Sequence, residues 1–320
     1  MKILKLRSGG EMPIVGYGTW TASGDVLENA LNEALKSGYR HIDTAYLYKN
    51  ECTIGKVLNE WISSGRVTRD DLFVVTKLPA YATRPEDVEK YLKESLQNLG
   101  LNYVDMYLIH SPFGLFAKDQ TDLDTMVIDY DTDHLAIWKV MEKQVDCGRT
   151  KAIGLSNFNA KQVQKLLDYS RIKPDNLQVE HHIYLQQTEL VDFCRDNGIV
   201  VTAYSTLGTK DGKKRLNLNW SKGVPEILEN EVVLRVASKH GKTPAQIVLR
   251  FTIQKGVVVI PKSTNSQRLV ENIQIFDFEL DAQDVEDLER QDVGDKGRLW
   301  WFTIFAGVKD HPEYPFPKEI

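Results

Sequence analysis

Val104-Asp105-Met106-Tyr107-Leu108-Ile109-His110 reads as a short strand, an apolar run that stops on a histidine. Helical patterns flank it, Pro85 to Leu99 before and His134 to Cys147 after. Working outward, the same unit recurs. Strands are expected over Ile14 to Gly18, His41 to Ala45, Leu72 to Leu78, Val104 to His110, Ala152 to Ser156, Leu177 to His181, Val200 to Ser205 and Val257 to Pro261. Helices are expected over Asp25 to Ser37, Glu51 to Ser64, Pro85 to Leu99, His134 to Cys147, Ala160 to Ser170, Glu189 to Asn197, Glu231 to His240, Pro244 to Gln254 and Asn265 to Asn272. In the first of them Val26, Leu27, Ala30, Leu31, Ala34 and Leu35 recur at helical spacing, and Gly38 stops it. Strict alternation of strand and helix marks a parallel sheet with crossover helices, and eight such strands is the number that closes a barrel.

The expected fold is therefore α/β, a TIM (β/α)8 barrel. Two alternating runs around Ser8-Gly9-Gly10 add an N-terminal hairpin cap. Three long rim loops exceed what a βα unit needs: Ser111 to Thr132, Thr206 to Val224, and the aromatic tail from Gly294. No Pro/Gly/Ser-rich linker interrupts the series, so residues 1–320 are expected to form one domain.

The chain has 320 residues with 40 basic and 45 acidic side chains, a net charge of −5. No basic block exceeds Lys213-Lys214-Arg215, which argues against nucleic acid or an anionic membrane as partner. Cys52, Cys147 and Cys194 are far apart, with no C-x-x-C spacing, and a reducing compartment is the simplest reading. The N-terminus has no apolar signal core, and no apolar run approaches membrane-spanning length. A cytoplasmic monomer is expected, and Asn219-Trp220-Ser221 is read as a chance match to the glycosylation triplet.

Polar residues fall at the C-terminal ends of the strands: Asp43, Lys77, His110, Asn157, Gln178 with Glu180, Ser205 and Lys262. In a barrel these ends meet at one rim, where active sites lie. Lys77 and Asp43 would pair across neighbouring strand ends, with Tyr48 folding back over them. A phenol near an ammonium is expected to have its pKa lowered from ~10 and to serve as a general acid to a carbonyl oxygen. His110 would supply a second hydrogen bond to the same oxygen. Neither a G-x-S-x-G nucleophile nor an H-E-x-x-H metal motif occurs, and no metal is expected.

Two nucleotide-binding candidates fail. Gly16-Tyr17-Gly18 has Thr21 where a third glycine would stand, and Gly241-Lys242-Thr243 has Val236 where a P-loop needs glycine. Ile260-Pro261-Lys262-Ser263-Thr264-Asn265 with Arg268 follows the eighth strand and leads into a helix, the usual phosphate position of barrels.

Taken together, these residues resemble the aldo-keto reductase superfamily over essentially the whole chain. The resemblance rests on Gly16-Tyr17-Gly18-Thr19-Trp20, His41-Ile42-Asp43-Thr44-Ala45-Tyr46-Leu47-Tyr48, Thr76-Lys77-Leu78, the Val104 to His110 run, Ile153-Gly154-Leu155-Ser156-Asn157-Phe158 and Ile260-Pro261-Lys262-Ser263. It implies a catalytic tetrad of Asp43, Tyr48, Lys77 and His110 and the cofactor NADP(H). By the same resemblance Ser156, Asn157 and Gln178 bind the nicotinamide carboxamide and Tyr204 stacks on its ring. Ser205, Leu207 and Gly208 follow the pyrophosphate; Lys262, Ser263, Asn265 and Arg268 grip the 2′-phosphate; Glu271 and Asn272 meet adenine. Thr19, Trp20, Asp43, Ile260, Pro261 and Thr264 complete the cofactor set. Trp20, Tyr48, His110, Ser111, Phe113, Phe116, Trp300 and Phe302 are expected to line the pocket for a small-molecule carbonyl substrate.

Ser111 replaces a common bulky aromatic and would open one pocket wall; Leu177, Ile183 and Thr206 also depart from the family pattern. The chain looks most like arthropod-type members, which implies a bulky hydrophobic ketone such as a 3-dehydroecdysteroid. A small-aldehyde or aldose-type detoxifying reductase, a non-catalytic NADPH-binding or structural barrel and an unrelated phosphate-binding barrel isomerase or lyase are the alternatives.

Overall fold

The computed structural model describes residues 2–117, 126–209 and 223–318. The Lys213-Lys214-Arg215 cluster, the Asn219-Trp220-Ser221 triplet and parts of the first two rim segments lie outside these residues.

A hairpin opens the chain. Strands β1 (Ile3–Lys5) and β2 (Glu11–Pro13) pair antiparallel with Leu4 opposite Met12. Gly9 at φ 89° makes the turn between them possible. Ser8 N donates to Asp175 Oδ1 at 2.8 Å, and Arg7 bonds the carbonyl of Asn197. Asp175 and Asn197 precede later barrel strands, so the hairpin covers the N-terminal mouth.

The barrel strands are β3 (Gly16–Gly18), β4 (His41–Asp43), β5 (Phe73–Leu78), β6 (Val104–Ile109), β9 (Thr150–Ser156), β10 (Asn176–Glu180), β11 (Val200–Tyr204) and β12 (Val258–Val259). All neighbours are parallel, in the order β12-β11-β10-β9-β6-β5-β4-β3. The two edges meet through a parallel bridge between Val15 and Val259, with Val259 N donating to Ile14 O at 2.9 Å and Gly18 N to Pro261 O at 3.3 Å. The sheet thus closes on itself, the TIM-barrel architecture expected.

Glycine at position 18 is what lets this seam close. A Cβ there would lie 2.5 Å from the Ile260 carbonyl oxygen, a backbone atom that cannot turn aside. Gly18→Ala is expected to lower the unfolding free energy by about 1–3 kcal/mol, the usual cost of overpacking. A urea titration that finds wild-type stability would show that the seam relaxes freely.

Helices α1 (Gly24–Lys36), α2 (Glu51–Ser63), α3 (Pro85–Leu99), α4 (His134–Asp146), α5 (Ala160–Tyr169), α6 (Thr188–Asp196), α7 (Glu231–His240), α8 (Pro244–Gln254) and α9 (Ser266–Ile273) surround the strands. In α1 the buried residues are Leu27, Ala30, Leu31, Ala34 and Leu35. Val26 shares their hydrophobicity but is 58% exposed, because it falls off the apolar stripe. A further helix, α10 (Ala282–Glu289), has no counterpart in the periodicity reading. Its short apolar pattern conceals it, while Asp281 starts it through a capping box with Asp284.

Two rim segments are more ordered than loops. After β6, strands β7 (Gly114–Ala117) and β8 (Met126–Asp129) form an antiparallel ribbon with Phe116 opposite Val127. The C-terminal tail packs onto it, burying Phe113, Leu115, Met126, Phe305, Val308 and Tyr314 in one apolar cluster. Imidazoles pin both segments: His311 Nε2 lies 2.7 Å from Asp129 O, and His134 Nε2 lies 2.6 Å from Pro112 O.

Candidate active site

Asp43 is the last residue of β4, and Lys77 sits near the end of β5, one strand away. Lys77 is 0% exposed. Burying an ammonium is costly unless its protons find partners, and here they do. Nζ lies 2.7 Å from Asp43 Oδ1, 2.8 Å from Thr44 O and 3.5 Å from Tyr48 Oη. Tyr48 ends a single 3₁₀ turn, Tyr46–Tyr48, whose tightness brings the ring back over the strand ends. Asp43 is itself fixed on three sides. Its backbone carbonyl accepts from Thr19 N (3.1 Å) and Thr19 Oγ1 (2.9 Å), and Oδ2 accepts from Gln178 Nε2 at 2.8 Å.

Burial works against the Lys77 ammonium, but the facing Asp43 carboxylate and Tyr48 oxygen outweigh it and hold its pKa above the ordinary lysine value. Tyr48 departs from the expected direction. Burial raises its phenol above the ordinary value, and the pull of Lys77 offsets only part of that rise. At 3.5 Å the ammonium contact is long, and desolvation of the partly buried phenol outweighs it. Tyr48 is thus a firmly protonated donor. The His110 ring stands 5.7 Å from that of Tyr48 at 74°. Burial, with Lys77 nearby, pushes the imidazole pKa well below its ordinary value, so His110 is neutral.

A cavity of about 780 Å³ runs from Tyr48 and His110 to Arg268 and Asn272, within the ~300–1,000 Å³ of ligand sites. Its walls include Thr19, Trp20, Asp43, Ser156, Asn157, Gln178, Tyr204, Ser205, Leu207, Gly208, the run Ile260 to Asn265, Arg268, Glu271 and Asn272. Ser111, Phe113, Trp300 and Phe302 line the substrate end. Lys77 stands behind Asp43 and Tyr48, off the cavity wall.

The middle of the cavity is built on strained backbone. Asn157 (φ 67°) and Ser205 (φ 55°) both take the left-handed conformation. Tyr204 Oη donates to Asn157 Oδ1 at 2.7 Å, and Asn157 Nδ2 donates to His110 O at 2.9 Å. A chain of contacts thereby runs from β11 to the histidine. Trp300 Nε1 donates to Ser205 Oγ at 3.1 Å and meets Trp20 edge-on at 5.0 Å.

At the far end Asn265 caps α9, accepting from Arg268 N at 3.0 Å, and Ser263 Oγ accepts from Asn265 N at 3.1 Å. Tyr17 Oη donates to Ser263 O at 3.1 Å, tying the segment to β3. Lys262 and Arg268 add two cations beside this helix start. Cations and helix amides at one end, with primary amides at Asn157 and Gln178 near the other, form a donor set that fits a phosphate-bearing dinucleotide.

One predicted wall residue is placed elsewhere. Phe116 is 53% exposed, with Arg84 5.8 Å from its ring. Side chains of a ribbon alternate, so Phe113 and Leu115 face the cavity and Phe116 faces out. Leu115 and Met126, with Leu47, Ala80, Tyr81, Ile304 and Phe305, are wall residues that sequence reasoning missed. Period-two alternation in Gly114–Ala117 was a usable signal for Leu115; nothing local signals the others. At Ser111 the hydroxyl donates to Phe113 O at 2.8 Å, and the residue lines the cavity beside His110.

A buried Lys–Asp pair beneath a tyrosine, at the C-terminal mouth of a (β/α)8 barrel, is an arrangement chemically able to pass a proton to a bound ligand. The aldo/keto reductase family model matches residues 14–292. The chain belongs to that family of carbonyl-reducing oxidoreductases. It is 40% identical over 324 residues to dihydrodiol dehydrogenase 3 of Bos taurus, covering 99% of this chain and 98% of that protein. It is likewise 40% identical to aldo-keto reductase family 1 member A1 of Mus musculus, covering 97% of each. The solved aldose reductase of Schistosoma japonicum superposes with a TM-score of 0.87 at 38% identity, covering 100% of both chains. Among the described residues no cluster of three or more histidine, cysteine or acidic side chains could hold a metal, and no helix is long and apolar enough to cross a membrane.

Proposed function

We propose that the protein reduces a bulky, hydrophobic aldehyde or ketone to the alcohol with NADPH. When bound, NADPH supplies the hydride for the carbonyl carbon. Tyr48 gives its proton to the carbonyl oxygen, and Lys77 stabilises the phenolate that remains. Asp43 holds Lys77 in place and is held in turn by Thr19 and Gln178. Neutral His110 orients the oxygen by hydrogen bonding. Lys262, Ser263, Asn265 and Arg268 would hold the 2′-phosphate, with Glu271 and Asn272 at the adenine. The observation that carries this reading is the buried Lys77, 2.7 Å from Asp43 and 3.5 Å from Tyr48, directly behind these two residues of the cavity wall.

Substrate size follows from the wall. Trp20, Phe113, Leu115, Met126, Trp300 and Phe302 present apolar surface to the cavity, with the small Ser111 among them, which favours a large apolar group over a sugar chain. A 3-dehydroecdysteroid is one ketone of that description. Three free cysteines, Cys194 buried and Cys52 and Cys147 exposed, fit the cytoplasmic assignment that goes with this reading, and a monomer suffices for it.

Mixing the protein with NADPH and a panel of sugars, alkenals, aromatic aldehydes and steroid ketones, followed by nicotinamide absorbance, tests the proposal. The largest kcat/KM is expected for the bulky apolar carbonyls; no oxidation of NADPH with any member would refute the reading. Replacing Lys262 and Arg268 together by glutamine is expected to weaken NADPH binding by about 10²-fold or more and NADH by far less, since two charge-assisted contacts to a 2′-phosphate are lost. Equal weakening of both cofactors, measured by fluorescence titration, would move the 2′-phosphate site elsewhere.

A further inference from the structure

Glu180 is the last residue of β10, two positions beyond Gln178, and is 1% exposed. A carboxyl buried this deeply needs hydrogen-bond donors. It takes them from the C-terminal tail: Leu299 N donates to Oε1 at 2.6 Å and Trp300 N to Oε2 at 2.9 Å. His182 Nε2 lies 2.9 Å from Oε1. Both oxygens thus serve two consecutive backbone amides, a fork that fixes the position and tilt of one peptide unit.

Farther along, the tail is held to the barrel at His311, Glu313 and Pro315, by Asp129 O, Gln162 and Asn159, while the stretch next to Trp300 is braced within the tail. Trp301 Nε1 donates to Arg298 O at 3.0 Å, Tyr314 Oη to Trp301 O at 3.0 Å, and the Arg298 guanidinium stands 3.9 Å from the Phe316 ring. The indole of Trp300 projects into the cavity between Trp20 and Ser205. Glu180 does not line that cavity.

We infer that Glu180 is a positioning residue that seats Trp300 as a wall of the substrate pocket and thereby sets how bulky a carbonyl the protein accepts. The inference rests on the carbonyl-reductase reading of the cavity. Its chemistry is separable from the reaction, because Tyr48, Lys77 and Asp43 are held by Thr19, Thr44 and Gln178 and not by the tail. A wall that shifts changes the packing of a large substituent while leaving the reacting oxygen where it was.

Glu180→Gln keeps the shape but sets an NH₂ against one of the two amide donors. Hydrogen–deuterium exchange of the Leu299 and Trp300 amides is expected to quicken by about tenfold or more as the local opening energy falls. KM for a steroid ketone should rise about tenfold, with kcat for a small aliphatic aldehyde and NADPH affinity within about twofold of wild type. In a Trp300→Ala background the same substitution should produce no further change with the steroid ketone. Unchanged amide protection, or a parallel loss for large and small carbonyls, overturns the assignment. Should Glu180→Gln not fold, Glu180→Asp, with its shorter reach, is expected to give the same split between substrates, and a parallel loss there is equally decisive. The exchange measurement needs no turnover, so it judges the anchor even if the protein reduces no carbonyl, an outcome that would defeat the proposed function alone.

Discussion

Tyr48→Phe is expected to lower turnover by about 10²–10⁴, the contribution of a positioned general acid, while NADPH affinity stays near wild type. The phenylalanine ring fills the same space, and the Lys77–Asp43 pair does not depend on the lost hydroxyl. Stopped-flow or steady-state assays alongside a cofactor titration would check this, and retained turnover would mean that another group gives the proton. A pH signature accompanies it. Burial holds the Tyr48 pKa above its ordinary value of ~10. Reduction needs the protonated phenol, so its rate should stay level through neutral pH and fall only as pH rises through that raised pKa. Oxidation of the alcohol needs the phenolate and should rise over the same alkaline range. A reduction rate that already falls between pH 6 and 8 would be inconsistent with a buried, raised phenol.

Lys77→Met should be the most damaging substitution for stability. It leaves the Asp43 carboxyl buried without its cation, a change that typically costs about 3–5 kcal/mol. Activity should fall with it, since nothing then stabilises the tyrosinate. Asp43→Asn in the same chain removes the uncompensated charge. The double variant should therefore recover much of the stability in a denaturant titration but none of the turnover. If the double variant is no more stable than Lys77→Met alone, the pair is not the electrostatic unit its 2.7 Å contact indicates.

Much of this architecture is legible along the chain because it is periodic. Eight apolar runs, each followed by a helical stripe, read as a parallel sheet with both faces buried, and eight is the strand number that closes such a sheet into a barrel. Asp43, Lys77, His110, Asn157, Gln178 and Ser205 are legible for the same reason. Position at a strand's C-terminal end is a sequence property, and parallel strands bring all such ends to one rim. What fails is instructive. Val26 and Phe116 are hydrophobic where a wall or core was expected, yet each falls on the solvent side of its element. Helix α10 carries too short a stripe to be seen, though its capping box starts it.

By itself, then, the sequence determined the barrel, the strand-end positions of Asp43, Lys77 and His110 and the cationic segment after the last strand, because local period and strand ends suffice for those. Tertiary structure decided the balance of forces at Tyr48, since desolvation depends on everything packed around a group and not on its neighbours in the chain. It also decided the substrate wall. Trp300 reaches the cavity because a carboxyl 120 residues earlier holds its peptide nitrogen, and no local pattern encodes a contact between segments so far apart.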